Sequence, residues 1–414
     1  MSDPAPTLPH LPFFERLAAL EEKSPAFRAF SAGLVTLRFV DAWVVEGPRV
    51  AAADSWSLRA VREAIEAMDA GHGARALLRS VVDAIDPRHA VARVALVTPR
   101  LIAYARALQL DGEWALAADV HRTVIAHADL EKDPDSVITA FLQLGACMRT
   151  LARWDEAMDA YDGAGQAAAE AGDVMNMLKA RVGEANVLMD RGSLPEAEQI
   201  LDETIADAEQ LGLRDLRSAA LHDRAAAAHR RGDYEAAVAM QYLALQDAQE
   251  GTSRDRVLAD LAASFFEIGL RSAARDANLV LAATAQEQFT RWQATINLME
   301  IAASDRYEPV FEQYRRELAP AALPPTLSAW YYLYMGQGYR VFDRTEQAKA
   351  ALERALALAE EHRINQVVFL AENALSDLRD GARVHVVTAA APTPMVEAAA
   401  QGVRRLRELA GIRE

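Results

Sequence analysis

Cysteine is almost missing from this chain. The single thiol, Cys147, excludes an internal disulfide and any thiolate metal cluster, and fits a reducing cytoplasm. It sits among Leu144, Gly145 and Met148 with no histidine or carboxylate at a telling spacing, so it reads as a buried, inert thiol. Long apolar runs are missing too. The most apolar stretch, Phe30 to Val45, carries Arg38 and Asp41 and falls short of the ~20 residues of a spanning helix, so it reads as a buried helix and no membrane segment is expected. The N-terminal text has neither a basic start nor an apolar core with a small-residue cleavage site, so no secretion signal is expected and a cytoplasmic location is. Lysine occurs only at Lys23, Lys132, Lys179 and Lys349, the usage of a GC-rich bacterial gene. With 60 acids against 44 Lys and Arg, the net charge of −16 repels phosphate backbones and argues against a nucleic-acid partner.

Catalytic punctuation is equally scarce. No P-loop, nucleophile elbow, H-E-x-x-H or Cys-x2-Cys pair occurs, so no cofactor and no enzymatic activity are expected. "GHGARA" at 71 to 76 lacks the last glycine of a dinucleotide loop and follows a helical stretch. His222 and His229 stand two turns apart on one helix, too far to share an ion; with the looser pair His121 and His127 they read as surface or groove-lining side chains, and no metal is expected.

What the chain has in abundance is repetition. "GEWALAADVHRTV" at 112, "ARWDEAMDAY" at 152, "GSLPEAEQILDET" at 192 and "GDYEAAVAMQYLA" at 232 place Ala117, Ala157, Ala197 and Ala237 at intervals of 40. Weaker copies put Ala274, Val310 and Ala348 in the same role, and Ala76 stands 41 before Ala117. A fixed period in this range marks a stacked repeat architecture. Each unit reads as a helix, a turn at Gly, Ala or a polar residue, and a second helix. In residues 138 to 164, Phe141, Leu144 and Met148 share one helical face and Trp154, Ala157 and Tyr161 another. Gly145 and Ala157 are small so that the two backbones can approach.

Phe141, Leu144, Gly145, Met148, Ala157 and Tyr161 resemble the tetratricopeptide repeat pattern, and Tyr332, Met335, Gly336, Tyr339, Ala348 and Leu352 resemble it again. The resemblance covers roughly residues 57 to 360. Two departures stand out: the period is near 40 instead of 34, and the proline that ends the second helix is missing, which predicts longer second helices. Arrays of that kind resemble the sensors and scaffolds of bacterial regulators. The resemblance implies an all-α fold, a right-handed α-α superhelix (a TPR-like solenoid) with helical N-terminal and C-terminal caps. The expected organisation is an N-terminal cap over 1–56, the array over 57–318, a proline-rich break at 319–326, a last hairpin and following helix over 327–380, and a C-terminal tail over 381–414. In that tail "ARVHVVT" alternates briefly before a final helix from about Val396 to Leu409.

In tetratricopeptide arrays the first helices line the concave face, on a stripe running i, i+3, i+7, i+10. The alanines set the phase, and the stripes then begin at Leu58, Pro99, Thr139, Lys179, Ala219, Arg256, Trp292 and Trp330. None of these 32 positions is acidic, whereas random placement of 60 acids over 414 residues would put about four or five there. The charged members are Arg106, Arg149, Lys179, Arg256 and Arg340, joined by Gln109, Asn186, His222, His229 and Gln337, with Ile102, Val182, Phe266 and Leu333 as apolar positions. In "WYYLYMGQGY", Tyr332 and Tyr339 read as core while Trp330 and Tyr334 face outward. The partner-binding residues expected from this stripe are Arg106, Arg149, Lys179, Asn186, His222, Arg256, Trp330, Gln337 and Arg340. Such a groove suits a protein or peptide segment bearing carboxylates, held by a non-enzymatic scaffold. The alternative is a regulatory sensor that binds a peptide or small effector and changes conformation. Self-association stays open.

Overall fold

The computed structural model describes residues 8–46, 55–85, 94–249, 251–380 and 392–413, and among them it contains twenty helices and no strand. The alternating stretch 382–388 lies outside the described residues. The chain divides into two compact units, residues 1–204 and 205–414.

Unit 1 opens with α1 (Leu11–Ala18) and α2 (Pro25–Glu46). Hairpins follow: α3 (Ser55–Glu66) with α4 (Gly73–Ile85), α5 (Val94–Leu110) with α6 (Trp114–His127), and α7 (Pro134–Thr150) with α8 (Trp154–Ala171). The unit continues through α9 (Val174–Arg191) and the start of α10 (Leu194–Gln210). Helix α2 packs on α3, α4 and α6, and α1 on α2 and α6, so the apolar end of the array is covered.

Unit 2 holds α11 (Arg214–Arg230) with α12 (Tyr234–Asp247), α13 (Thr252–Glu267) with α14 (Arg271–Thr284), and α15 (Gln288–Ser304) with α16 (Glu308–Leu318). Helices α17 (Pro325–Val341), α18 (Thr345–Glu361), α19 (Asn365–Arg379) and α20 (Pro394–Leu409) complete it. The proline-rich break is a turn, and Pro325 begins α17, where a missing N–H costs nothing.

One turn recurs between first and second helices. Gly112, Ala152, Gly192, Gly232, Gly269, Arg306 and Asp343 all have φ between 56° and 89°. At each, the N–H folds back to a carbonyl of the helix just ended, and the next residue bonds to the carbonyl one residue deeper, as Arg153 does to Met148 at 2.9 Å. Four of the seven are glycine, which adopts this left-handed conformation without strain; the others accept it because the packed hairpin requires it. The side chains of Asp173 and Asp233 cap α9 and α12 by accepting from Asn176 and Ala236 backbone N–H groups.

The repeat alanines Ala117, Ala157, Ala197, Ala237, Ala274 and Ala348 are fully buried. Val310 is part-buried and Ala76 is exposed. The phase taken from Ala76 is therefore wrong for the first hairpin, where Leu78, Val81, Val82 and Ile85 carry the buried face of α4. Second helices are long only in α8, α10 and α18, at 18, 17 and 17 residues; α6, α12 and α14 have 14 and α16 has 11.

His121 on α6 departs from its sequence reading. It is fully buried, and neither ring nitrogen has a hydrogen-bond partner among the described residues. Burial pushes its pKa down to about 4. Since the unfolded ring titrates near 6.5, the unfolded state binds more protons between these values, so His121 removes stability as pH falls from about 6.5 toward 4. His121→Leu is expected to raise unfolding stability by about 1–3 kcal/mol at pH 7 and to flatten the acid limb, measured by urea denaturation; a loss of stability would show that the ring is satisfied in solution.

Candidate functional site

The inner-stripe residues fall into three groups. The first is packed core. Leu58, Val61 and Ile65 of α3 and Met68 just after it are buried, as are Thr295, Met299 and Ala302 of α15, Leu333 of α17 and Met189 of α9. Charge is excluded from such positions because a buried ion without a partner costs several kcal/mol, on the order of the Born penalty after relaxation. Part of the acid-free stripe is thus ordinary packing. Leu333, expected to offer apolar area to a ligand, is spent inside the protein.

The second group is engaged within the chain, its two arginines and His222 by acids. Arg149 Nη1 donates to Asp190 at 3.0 Å, Arg340 Nη1 to Asp377 at 3.1 Å, and His222 Nε2 lies 2.6 Å from Asp260. Each acid stands 41, 37 or 38 residues beyond its base, about one repeat further on and beside the stripe. Lys179 donates to Asn176 at 3.0 Å, and Gln109 to Gln143 and to the Cys147 sulfur at 3.1 Å. The thiol is fully buried, and burial pushes its pKa up against the Gln109 hydrogen bond. Asn186 is part-buried and engaged by a neighbour.

The third group points at space. Arg106 of α5 is exposed, and no partner for it occurs among the described residues. In unit 2, Arg256 is exposed at a cavity of about 650 Å³ between α11 and α13. Thr252 and Ser253, at the start of α13, and His222 share its wall. Two acids lie there as well: Asp215, which accepts from Gln249 at 2.6 Å, and Asp223, which is engaged by a neighbour. Arg256 pairs with neither among the described residues.

Further along unit 2, Gln337 lines a second cavity, between α15, α17 and α19. Trp330 stacks on Tyr334 with centroids 5.4 Å apart. Tyr331 and Tyr339 are the buried tyrosines of that segment and Tyr332 is only part-buried, so the aromatic face is rotated by one residue from its sequence reading at the first tyrosine. Tyr334, expected outside, is part-buried and bonded to Glu300.

The C-terminal helix α20 lies on the second helices α12 and α14. Val396, Ala399 and Val403 are fully buried there, Gly402 abuts the Tyr242 ring, and Arg407 reaches Asp276 at 3.1 Å with both side chains under 10% exposed. Among the described residues, no helix is long and apolar enough to cross a membrane, and no group of three His, Cys, Asp or Glu is arranged to hold a metal ion.

No family model and no curated protein matches the sequence. Solved structures do. A tetratricopeptide repeat protein from Parabacteroides merdae is 13% identical over 67% of this chain and 99% of that one, with a TM-score of 0.42. BtubC from P. vanneervenii is 17% identical over 61% and 93%, with a TM-score of 0.40. Aspartyl phosphate phosphatase F from Bacillus subtilis is 11% identical over 90% and 98%, with a TM-score of 0.35. With its 40-residue hairpins, fully buried repeat alanines and recurrent left-handed turn, the chain is a tetratricopeptide-like helical repeat protein.

Proposed function

We propose that the protein is a non-enzymatic interaction scaffold whose first helices bind a carboxylate-bearing protein segment. Arg256 carries this reading. Unlike Arg149 and Arg340, it meets a cavity without an acid partner among the described residues, and its guanidinium can take a carboxylate through two parallel hydrogen bonds. The Thr252 and Ser253 hydroxyls beside it supply further donors.

Selection from a random peptide library on the full chain is expected to enrich Asp, Glu or a free C-terminus, and Arg256→Glu is expected to invert the preference toward Lys and Arg, because like charges facing each other cost affinity. Unchanged enrichment in the variant would contradict the assignment.

The sensor reading has one observation of its own. Ala248, just after α12 in its connection to α13, lines the Arg256 cavity and also, with Gln246 of α12 and Arg254 of α13, a smaller cavity walled on its other side by Gly402 and Leu406 of α20. A ligand that shifts this connection would loosen α20, which hydrogen exchange on the peptide complex reads directly.

A further inference from the structure

The second cavity of unit 2, about 410 Å³, is bounded by three successive first helices. Glu300 enters from α15, Tyr334 and Arg340 from α17, Asp377 from α19, and Leu370 and Ala374 supply an apolar wall. That volume suits one long side chain with its terminal group.

The charges in this cavity are unevenly matched. Arg340 is held by Asp377 at 3.1 Å. Glu300 is part-buried and accepts a hydrogen bond from the Tyr334 hydroxyl, but no cation pairs with it among the described residues. The charge that acts on it is another acid, Glu267 on α13. Once ionised, this carboxylate bears a desolvation cost that no protein cation offsets among the described residues. A cation entering the cavity offsets that cost. Tyr334 itself lines the cavity wall, and Trp330 packs against its ring at 5.4 Å between centroids.

We propose that this cavity takes a cationic side chain of the bound segment, a lysine ammonium or an arginine guanidinium, with Glu300 as its counter-ion and the Tyr334 ring as its second contact. The proposal rests on the reading that the first helices of unit 2 form the ligand face. It adds that the ligand carries both signs, acid toward Arg256 and base toward Glu300.

The empty site holds its proton. Burial, and then the nearby charge of Glu267, push the Glu300 pKa up to about 8 against the Tyr334 hydrogen bond. The groups around it are Glu267 on α13, Tyr334 and Arg340 on α17 and Asp377 on α19; on α14 and α16, also packed against α15, Arg271 pairs with Asp305 and Arg315 with Glu312. A cation that binds the ionised carboxyl therefore expels a proton at neutral pH, and its affinity rises with pH until Glu300 is already ionised.

Titration of the full chain with Nα-acetyl-lysine amide, with Nα-acetyl-norleucine amide as neutral control, tests this by calorimetry between pH 6 and 9. Saturable binding of the lysine probe alone is expected, tightening about tenfold per pH unit up to about 8 and level above. Glu300→Gln is expected to abolish both the binding and its pH dependence, whereas enrichment of acidic peptides by the same variant reads the Arg256 cavity separately, so a failed carboxylate site and a failed cation site give different results. Equal binding of the two probes, a flat pH profile in the unmodified protein, no saturation up to about 10 mM, or undiminished binding in a folded Glu300→Gln variant would overturn the proposal.

Discussion

Replacing His10 by alanine is expected to destabilise unit 1 by about 3–5 kcal/mol, the usual result of removing one partner from a buried charge pair. His10 is 6% exposed and bridges two acids: Nδ1 lies 2.7 Å from Asp119 on α6 and Nε2 lies 2.9 Å from Asp41 on α2. Asp41 also receives His127 at 2.6 Å. Together with the Arg16–Glu113 pair at 2.7 Å, this network ties α1 to α2 and α6. Burial alone would lower the His10 pKa, but the hydrogen bonds and charges of Asp119 and Asp41 outweigh it and raise the value to about 9. Asp41 is pushed up by burial and more strongly down by His10 and His127, to well below the usual carboxylate range. The signs follow. The folded state binds the extra proton between about 6.5 and 9, so the stabilisation from His10 is complete below 6.5 and is lost as pH rises through 9. The stabilisation from Asp41 is complete above its ordinary pKa and is lost as pH falls below it. Urea denaturation of wild type and His10→Ala from about pH 2 to 10 checks both: the alkaline decline should vanish in the variant, and the acid decline should shrink. Equal stability of the two proteins at neutral pH would show that the network contributes nothing.

The second large effect concerns the Tyr161 ring. It occupies a slot between Gly145 on its own hairpin partner α7 and Gly183 on α9, and a β carbon at Gly145 would lie 2.7 Å from the ring. At Gly183 the approach is closer still. Gly183→Leu is expected to cost about 3 kcal/mol, the upper part of the range for overpacking, because the buried ring has nowhere to move. Gly165, on the same helix as Tyr161, is the control: its β carbon would meet only Ala180 at 3.8 Å. Gly165→Ala should therefore stabilise by about 0.5–1 kcal/mol through helix propensity. Thermal unfolding of both variants decides the matter. A neutral Gly183→Leu would mean that α7, α8 and α9 are not packed around this ring.

The hairpins were legible because they are local and periodic. A helix, a left-handed turn and a small residue opposite a large one leave the same trace every 40 residues, and Gly145 facing Tyr161 recurs as Gly336 facing Leu352. The phase failed where the trace was thin, at Ala76. The neutralising acids were also within reach of the sequence: Asp190, Asp260 and Asp377 stand about one repeat after Arg149, His222 and Arg340, and that spacing is a signal for first helices stacked side by side. A stripe taken one helix at a time overlooks them. Two features had no such trace. The His10 network joins residues 31 and 109 apart outside the period, and α20 docks on helices more than 100 residues earlier through Arg407 and Asp276.

Ligands are expected to meet the first helices. Photo-crosslinking of a selected acidic peptide, followed by mass spectrometry of the adducts, measures it most directly. Adducts are expected on side chains of α11, α13, α15 and α17, centred on the cavity beside Arg256. Adducts confined to α12, α14 and α16 would contradict it.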